Sequence, residues 1–182
     1  MSRSHSKSHT IGSLLVSQFL GAFNDKAWKL IVTLLAIRTL EAHVSGGDAE
    51  FQRLSQFQTT WTFCVLTLPL MLVSLPAGVL ADRLSKRSII IWMKWIEVAS
   101  MSAAAISLFA FPDDGFPRLL ILGLMGAQSA LFNPAKYGIL PELLPHEQLS
   151  KGNGHLEMWT FLAIILGTVS GGLLLDGAGE II

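Results

Sequence analysis

Residues 11–40 form an apolar run interrupted near its centre by Asp25, Lys26 and Lys29. About 20 apolar residues cross a hydrocarbon core, so this run spans a bilayer with some tilt. A charge at the bilayer centre costs at least about 2.5–3.5 kcal/mol on insertion scales and therefore faces protein or water. On a helix, Gln18, Gly21, Asp25 and Lys29 share one face, with Trp28 beside them. An apolar helix with one charged, partly small-residue face lines a polar cavity. Function is expected on that face.

The remainder of the chain repeats the apolar theme. It is 51% hydrophobic and 14% charged, with a mean hydropathy of +0.53. This composition belongs to a multi-span membrane protein. The formal net charge is zero, which excludes a nucleic-acid partner on bulk charge. The lone Cys64 lies in an apolar run, so the chain contains no disulfide framework. Residues 1–10 read as a polar cytoplasmic tail. His5 and His9 there alternate with serine, a solvated pattern, and no metal site is expected. No cleavage site closes the first apolar run, which reads as a retained span.

Residues 11–182 divide into five predicted transmembrane helices, at about 11–40, 57–81, 88–111, 118–144 and 155–175. The intervening segments are a polar loop at 41–56, a charged turn at 82–87, the turn F-P-D-D-G-F-P at 111–117 and a polar link at 145–154. Pro69, Pro76, Pro134 and Pro141 fall inside helices, where neighbouring spans satisfy the freed carbonyls. With the N-terminus inside, the inner segments carry Arg3, Lys7, Arg83, Lys86, Arg87 and Lys151. The outer segments then carry Arg38, Arg53 and Arg118, and six basic residues against three favour a cytoplasmic N-terminus.

A second informative stretch, Gly78 to Arg87, reads G-V-L-A-D-R-L-S-K-R. Gly78 and Asp82 are one turn apart, a small residue permitting close helix approach and a carboxylate able to meet a helix N-terminus or a basic group. The plainer reading is a positive-inside turn. On helix 4, Gln128, Ser129, Asn133 and Lys136 occupy neighbouring faces beside Pro134. Lys136 lies about 13 Å from the helix end at 1.5 Å per residue, far for snorkelling. Asp25 is its expected acidic partner across the cavity. Lys94 and Glu97, spaced i,i+3, read as a local ion pair near the inner gate. Gly167, Gly171 and Gly172 read as a packing face. No hydrolase, metalloprotease, phosphate-loop or H-x-x-x-x-D acyltransferase motif is present, so no catalytic residue or cofactor is assigned.

The Gly78–Arg87 turn resembles the signature loop of the major facilitator superfamily, G-x-x-x-D-R-x-G-R-K/R. Ser85 replaces the second glycine and Lys86 the first arginine of the final pair. Two further stretches resemble the bacterial lysophospholipid transporters, which also occur fused to acyltransferase and acyl-carrier-protein ligase domains. They are Q-F-L-G-A-F-N-D-K-A-W-K, residues 18–29, and A-L-F-N-P-A-K-Y-G-I-L-P-E-L-L, residues 130–144, the latter continuing through 149–168. The family usually has asparagine where Lys26 stands.

The resemblance implies an all-α polytopic fold, here the first five helices of a twelve-helix transporter, with helices 1 and 4 meeting at a central cavity. It implies a fragment or truncated gene product whose C-terminal half is the missing partner. The expected activity is movement of lysophospholipids across the bacterial inner membrane to the cytoplasmic leaflet. A carrier for a drug or organic ion, and the membrane domain of a fused acyltransferase enzyme, are the alternatives. The expected cavity residues, for substrate or a coupling cation, are Gln18, Asn24, Asp25, Lys29, Gln128, Asn133 and Lys136. The expected inner-gate residues are Gly78, Asp82, Arg83, Lys86 and Arg87.

Overall fold

The computed structural model describes the backbone of residues 2–43, 47–112 and 114–179, with side chains over 11–42, 47–112 and 114–177. The described residues form five α-helices and one 3-10 turn, with no strand. The helices are α1 (Ser2–His43), α2 (Asp48–Arg83), α3 (Lys86–Ala110), α4 (Phe116–Leu143) and α5 (Leu149–Gly179), the last preceded by the turn His146–Gln148. Three stretches are long and apolar enough to cross a membrane on composition alone: Asp48–Arg83, Lys86–Ala110 and His146–Gly177. The helices outside that set, α1 and α4, carry the intramembrane charges Asp25, Lys26, Lys29 and Lys136.

Several helices run past their expected ends. Residues 2–10 continue α1 instead of forming a separate tail; no Gly or Pro stands before Gly12, and extending an existing helix needs no new nucleus. The side chains of His5 and His9 lie outside the described residues. Much of the expected 41–56 loop is helix, because α2 begins at Asp48 directly after the extended Gly47. Asp48 and Glu50 in its first turn complement the positive helix N-terminus. Val44 to Gly46, including half of the expected Gly46-Gly47 breaker, lie outside the described residues. The expected link at 145–154 is mostly α5. Leu149 and Leu156 pack on Leu140 and Leu143 of α4 and on Leu144 just past its end, and Gly152 allows the Leu144 side chain to approach the α5 backbone. Apolar contact therefore starts this helix well before its most hydrophobic stretch.

The closest helix pairs are α1 with α5 and α2 with α4. Both seams depend on glycine. A Cβ at Gly167 would lie 2.5 Å from the Phe23 carbonyl oxygen, and one at Gly171 would lie 2.9 Å from that of Ala27. On α4, a Cβ at Gly126 would run into the Leu66 carbonyl oxygen. Absent side chains let these backbones approach closely, as the glycine spacing on α5 led one to expect. Trp28, Val32, Ala104, Leu122 and Met125 fill the core where α1, α3 and α4 meet. The outer surface is apolar, with Leu72 and Ile106 exposed, as suits a lipid solvent. Between α3 and α4, the buried Arg118 donates 2.7 Å to the Phe111 carbonyl and also to that of Pro112. The expected outer-loop charge thus clamps its own turn.

Candidate functional site

Residues of all five helices line a cavity of about 200 Å3. Gln18, Gly21, Asp25 and Lys26 reach it from α1, Lys94 and Glu97 from α3, and Gln128, Ser129, Asn133 and Lys136 from α4. A larger groove of about 870 Å3 opens beside α1, α3 and α4, with Leu14, Ile90, Ile91 and Val98 in its walls. Size alone favours the groove. Chemistry favours the smaller cavity, where polar groups from separate spans converge inside an apolar bundle.

Glu97 organises one side of the cavity. Its side chain is only 6% exposed and accepts from Lys94 Nζ at 2.6 Å, Asn24 Nδ2 at 3.1 Å and Gln128 Nε2 at 3.4 Å. Lys94 also donates to the Ser17 carbonyl at 2.6 Å and lies 4.6 Å from the Phe132 ring centroid. Gly21 makes room for this pair, since a Cβ there would sit 2.8 Å from Lys94 Nζ and 3.2 Å from Glu97 Oε2. A buried carboxylate needs such partners, because desolvating an unpaired charge costs several kcal/mol. Lys94 and Glu97 do form the expected local pair, but it lines the central cavity instead of standing apart at the gate. Sequence reasoning missed that position. The signal was Gly21, one of the small residues on the polar face of α1.

Asp25 is held more lightly. It accepts one hydrogen bond, from Ser129 Oγ at 2.8 Å. Gln18 donates to Thr160 Oγ1 at 2.8 Å, fixing α1 to α5 at the cavity edge. Gln128 is 5% exposed, and with its amide nitrogen turned to Glu97, its buried Oε1 has no partner among the described residues.

Two expectations are corrected. Asp25 and Lys136 line the same cavity but form no ion pair. The register explains this: Asp25 lies level with Ser129, and Lys136 is two turns further along α4, about 10 Å away at 1.5 Å per residue. Lys136 is buried, with Nζ 4.7 Å from the Tyr137 ring centroid. The acidic group whose field it feels is Glu157 on α5, whose carboxylate accepts a hydrogen bond from the Tyr137 hydroxyl. The second correction concerns Lys29, whose ammonium lies 4.6 Å over the Phe63 ring of α2 and does not line the cavity. Asn24 reaches the cavity cluster through Glu97 without lining the cavity itself.

The charged turn between α2 and α3 is shorter than expected, only Leu84 and Ser85. Lys86 bridges to Glu142 near the end of α4 at 2.9 Å, with its chain lying over Gly138. Arg87 borders the larger groove. Asp82 and Arg83 are exposed and carry no ion pair among the described residues. Gly78 does not serve close packing here, since a Cβ would meet nothing within 4 Å.

The sequence model of the Major Facilitator Superfamily matches residues 12–179. The chain is similar to the lysophospholipid transporter LplT of Salmonella heidelberg, at 34% identity over 168 residues, covering 90% of this chain and 36% of the relative. The corresponding transporter of Salmonella arizonae is 33% identical over the same coverage. The chain thus spans about a third of the length of the curated relatives it matches. No solved structure matches it.

Proposed function

This chain belongs to the major facilitator superfamily, and from that premise we propose that it forms part of a carrier for lysophospholipids. The observation that carries the proposal is a polar cavity of both charge signs, walled by Asp25, Lys26, Lys94, Glu97 and Lys136, inside a bundle with an apolar exterior. A lysophospholipid has matching parts: a charged headgroup suits the cavity, and its single acyl chain suits the lipid-facing surface. Similarity to lysophospholipid transporters over 90% of the chain supports this substrate class over a drug or organic ion.

In this proposal the headgroup crosses beside Asp25, Asn133 and Lys136, and the lipid moves towards the cytoplasmic leaflet of the bacterial inner membrane. The N-terminus lies in the cytoplasm, in accord with the excess of basic residues on that side. Asp25 contacts the headgroup or a coupling cation. It is suited to this by having one hydrogen-bond donor where Glu97 has three. Asp82 and Arg83, which carry no ion pair among the described residues, exchange partners between transport states at the inner face, and Lys86 with Glu142 anchors the turn to α4. The chain spans a third of its relatives' length, so a complete path requires further helices around the same site.

Uptake of radiolabelled lysophospholipid into spheroplasts tests the reading on the complete transporter. Asp25→Asn or Lys136→Ala is expected to abolish uptake at normal membrane abundance. Unchanged uptake in both variants removes these residues from the mechanism.

A further inference from the structure

Lys26, Lys94 and Lys136 line the cavity with Asp25 and Glu97, and Glu157 of α5 completes the balance as the carboxylate whose field Lys136 feels. What an anionic ligand meets is therefore set by where each carboxylate is held. Glu97 is committed to Lys94 at 2.6 Å. Lys136 is only 4% exposed, yet no carboxylate lies within ion-pairing distance of it among the described residues. A buried ammonium near a carboxylate that does not pair with it calls for a physical reason.

Tyr137 supplies that reason. Its ring centroid lies 4.7 Å from Lys136 Nζ, and its hydroxyl donates to Glu157. Glu157 precedes Thr160 by one turn of α5, and Thr160 lines the cavity, so the contact stands at the Lys136 end of the site. One side chain thus touches both charges. The ring face attracts the ammonium without using its three N–H donors, which stay available to a phosphate. The hydroxyl gives Glu157 a partner other than that ammonium. We infer that Tyr137 is a positioning residue, which holds Glu157 off Lys136 and so keeps the lysine open to the phosphate of a headgroup. Without the hydroxyl, Glu157 closes on Lys136 and competes with the phosphate; without the Glu157 carboxylate, that competition is gone. The two losses act on affinity in opposite directions. A hydrogen bond that served only to tie α4 to α5 would act in one direction, whichever partner were removed. The inference rests on the lysophospholipid reading above.

Binding of lysophosphatidylglycerol, whose only charge is its phosphate, to the complete transporter in phosphatidylcholine nanodiscs tests it. Tyr137→Phe, which keeps the ring beside Lys136, is expected to weaken binding by about tenfold, the scale of one partly screened charge at close range. Glu157→Gln, nearly isosteric, is expected to tighten it by about threefold. The double variant should match Glu157→Gln, since no carboxylate remains to be held. Binding that Glu157→Gln weakens or leaves unchanged overturns the inference, whatever Tyr137→Phe does, and leaves the lysophospholipid reading intact. Unchanged binding in Tyr137→Phe overturns it equally. Failure of the parent to bind the lipid overturns both. Soluble glycerophosphoglycerol, the same headgroup without an acyl chain, separates lipid from free phosphodiester; equal affinity for it would overturn the lysophospholipid reading and the inference as stated.

Discussion

Two carboxylates one helix apart illustrate two ways of keeping a charge inside a membrane. Glu97 on α3 is surrounded by donors from Lys94, Asn24 and Gln128, so three helices hold it in place. Asp25 on α1 faces the same cavity with only Ser129 donating to it. The first arrangement is saturated and ties the bundle together. The second leaves acceptor capacity for a ligand, since an ionised carboxylate has about four lone-pair sites. We propose a structural role for Glu97 and a ligand-facing role for Asp25 on the strength of that difference.

The largest effect that bears on this contrast is expected from Glu97→Ala. It strands Lys94 without its carboxylate and should lower unfolding stability in detergent by about 3–5 kcal/mol, the usual penalty for breaking a buried pair. A loss no greater than that of Asp25→Asn would erase the distinction. Gly21→Ala comes next. Its methyl group would press on Lys94 Nζ and Glu97 and spare Asp25, so the same titration should register about 1–3 kcal/mol of overpacking. Ser129→Ala removes the single donor to Asp25. Water in the cavity can replace that hydroxyl, and a loss of only about 0.5–1.5 kcal/mol is expected. The smallest effect is assigned to Lys86→Met, remote from both carboxylates. Its bridge to the well-exposed Glu142 contributes about 0–1 kcal/mol, and added salt should shrink the difference further.

Much of this arrangement was legible in the sequence. Five helices follow from apolar runs separated by turns, and charges inside two of those runs mark the cavity walls, because lipid excludes them. The glycines of α5 announced a close seam, and Phe23 and Ala27 of α1 supply its other side. Helix ends were less legible. Residues 48–56 look like loop by polarity, yet they contain neither Gly nor Pro and begin with acids suited to a helix N-terminus. Side-chain partners were least legible. Pairing Asp25 with Lys136 needed the relative height of α1 and α4, and no periodicity within one helix supplies it. The place of Glu97 likewise depends on Gly21, Asn24 and Gln128 arriving from two other helices.

The central claim is that Asp25 faces water inside the hydrocarbon slab. Cys64 is the only cysteine, so Cys64→Ser yields a cysteine-free background for an accessibility measurement. Thiols react as thiolates, which form in water and not in lipid. In membranes, Asp25→Cys on that background is expected to react with a charged, water-soluble thiosulfonate reagent, while Ile106→Cys on the exposed apolar side of α3 stays inert. An unreactive thiol at position 25, or equal reactivity at both positions, would contradict the account.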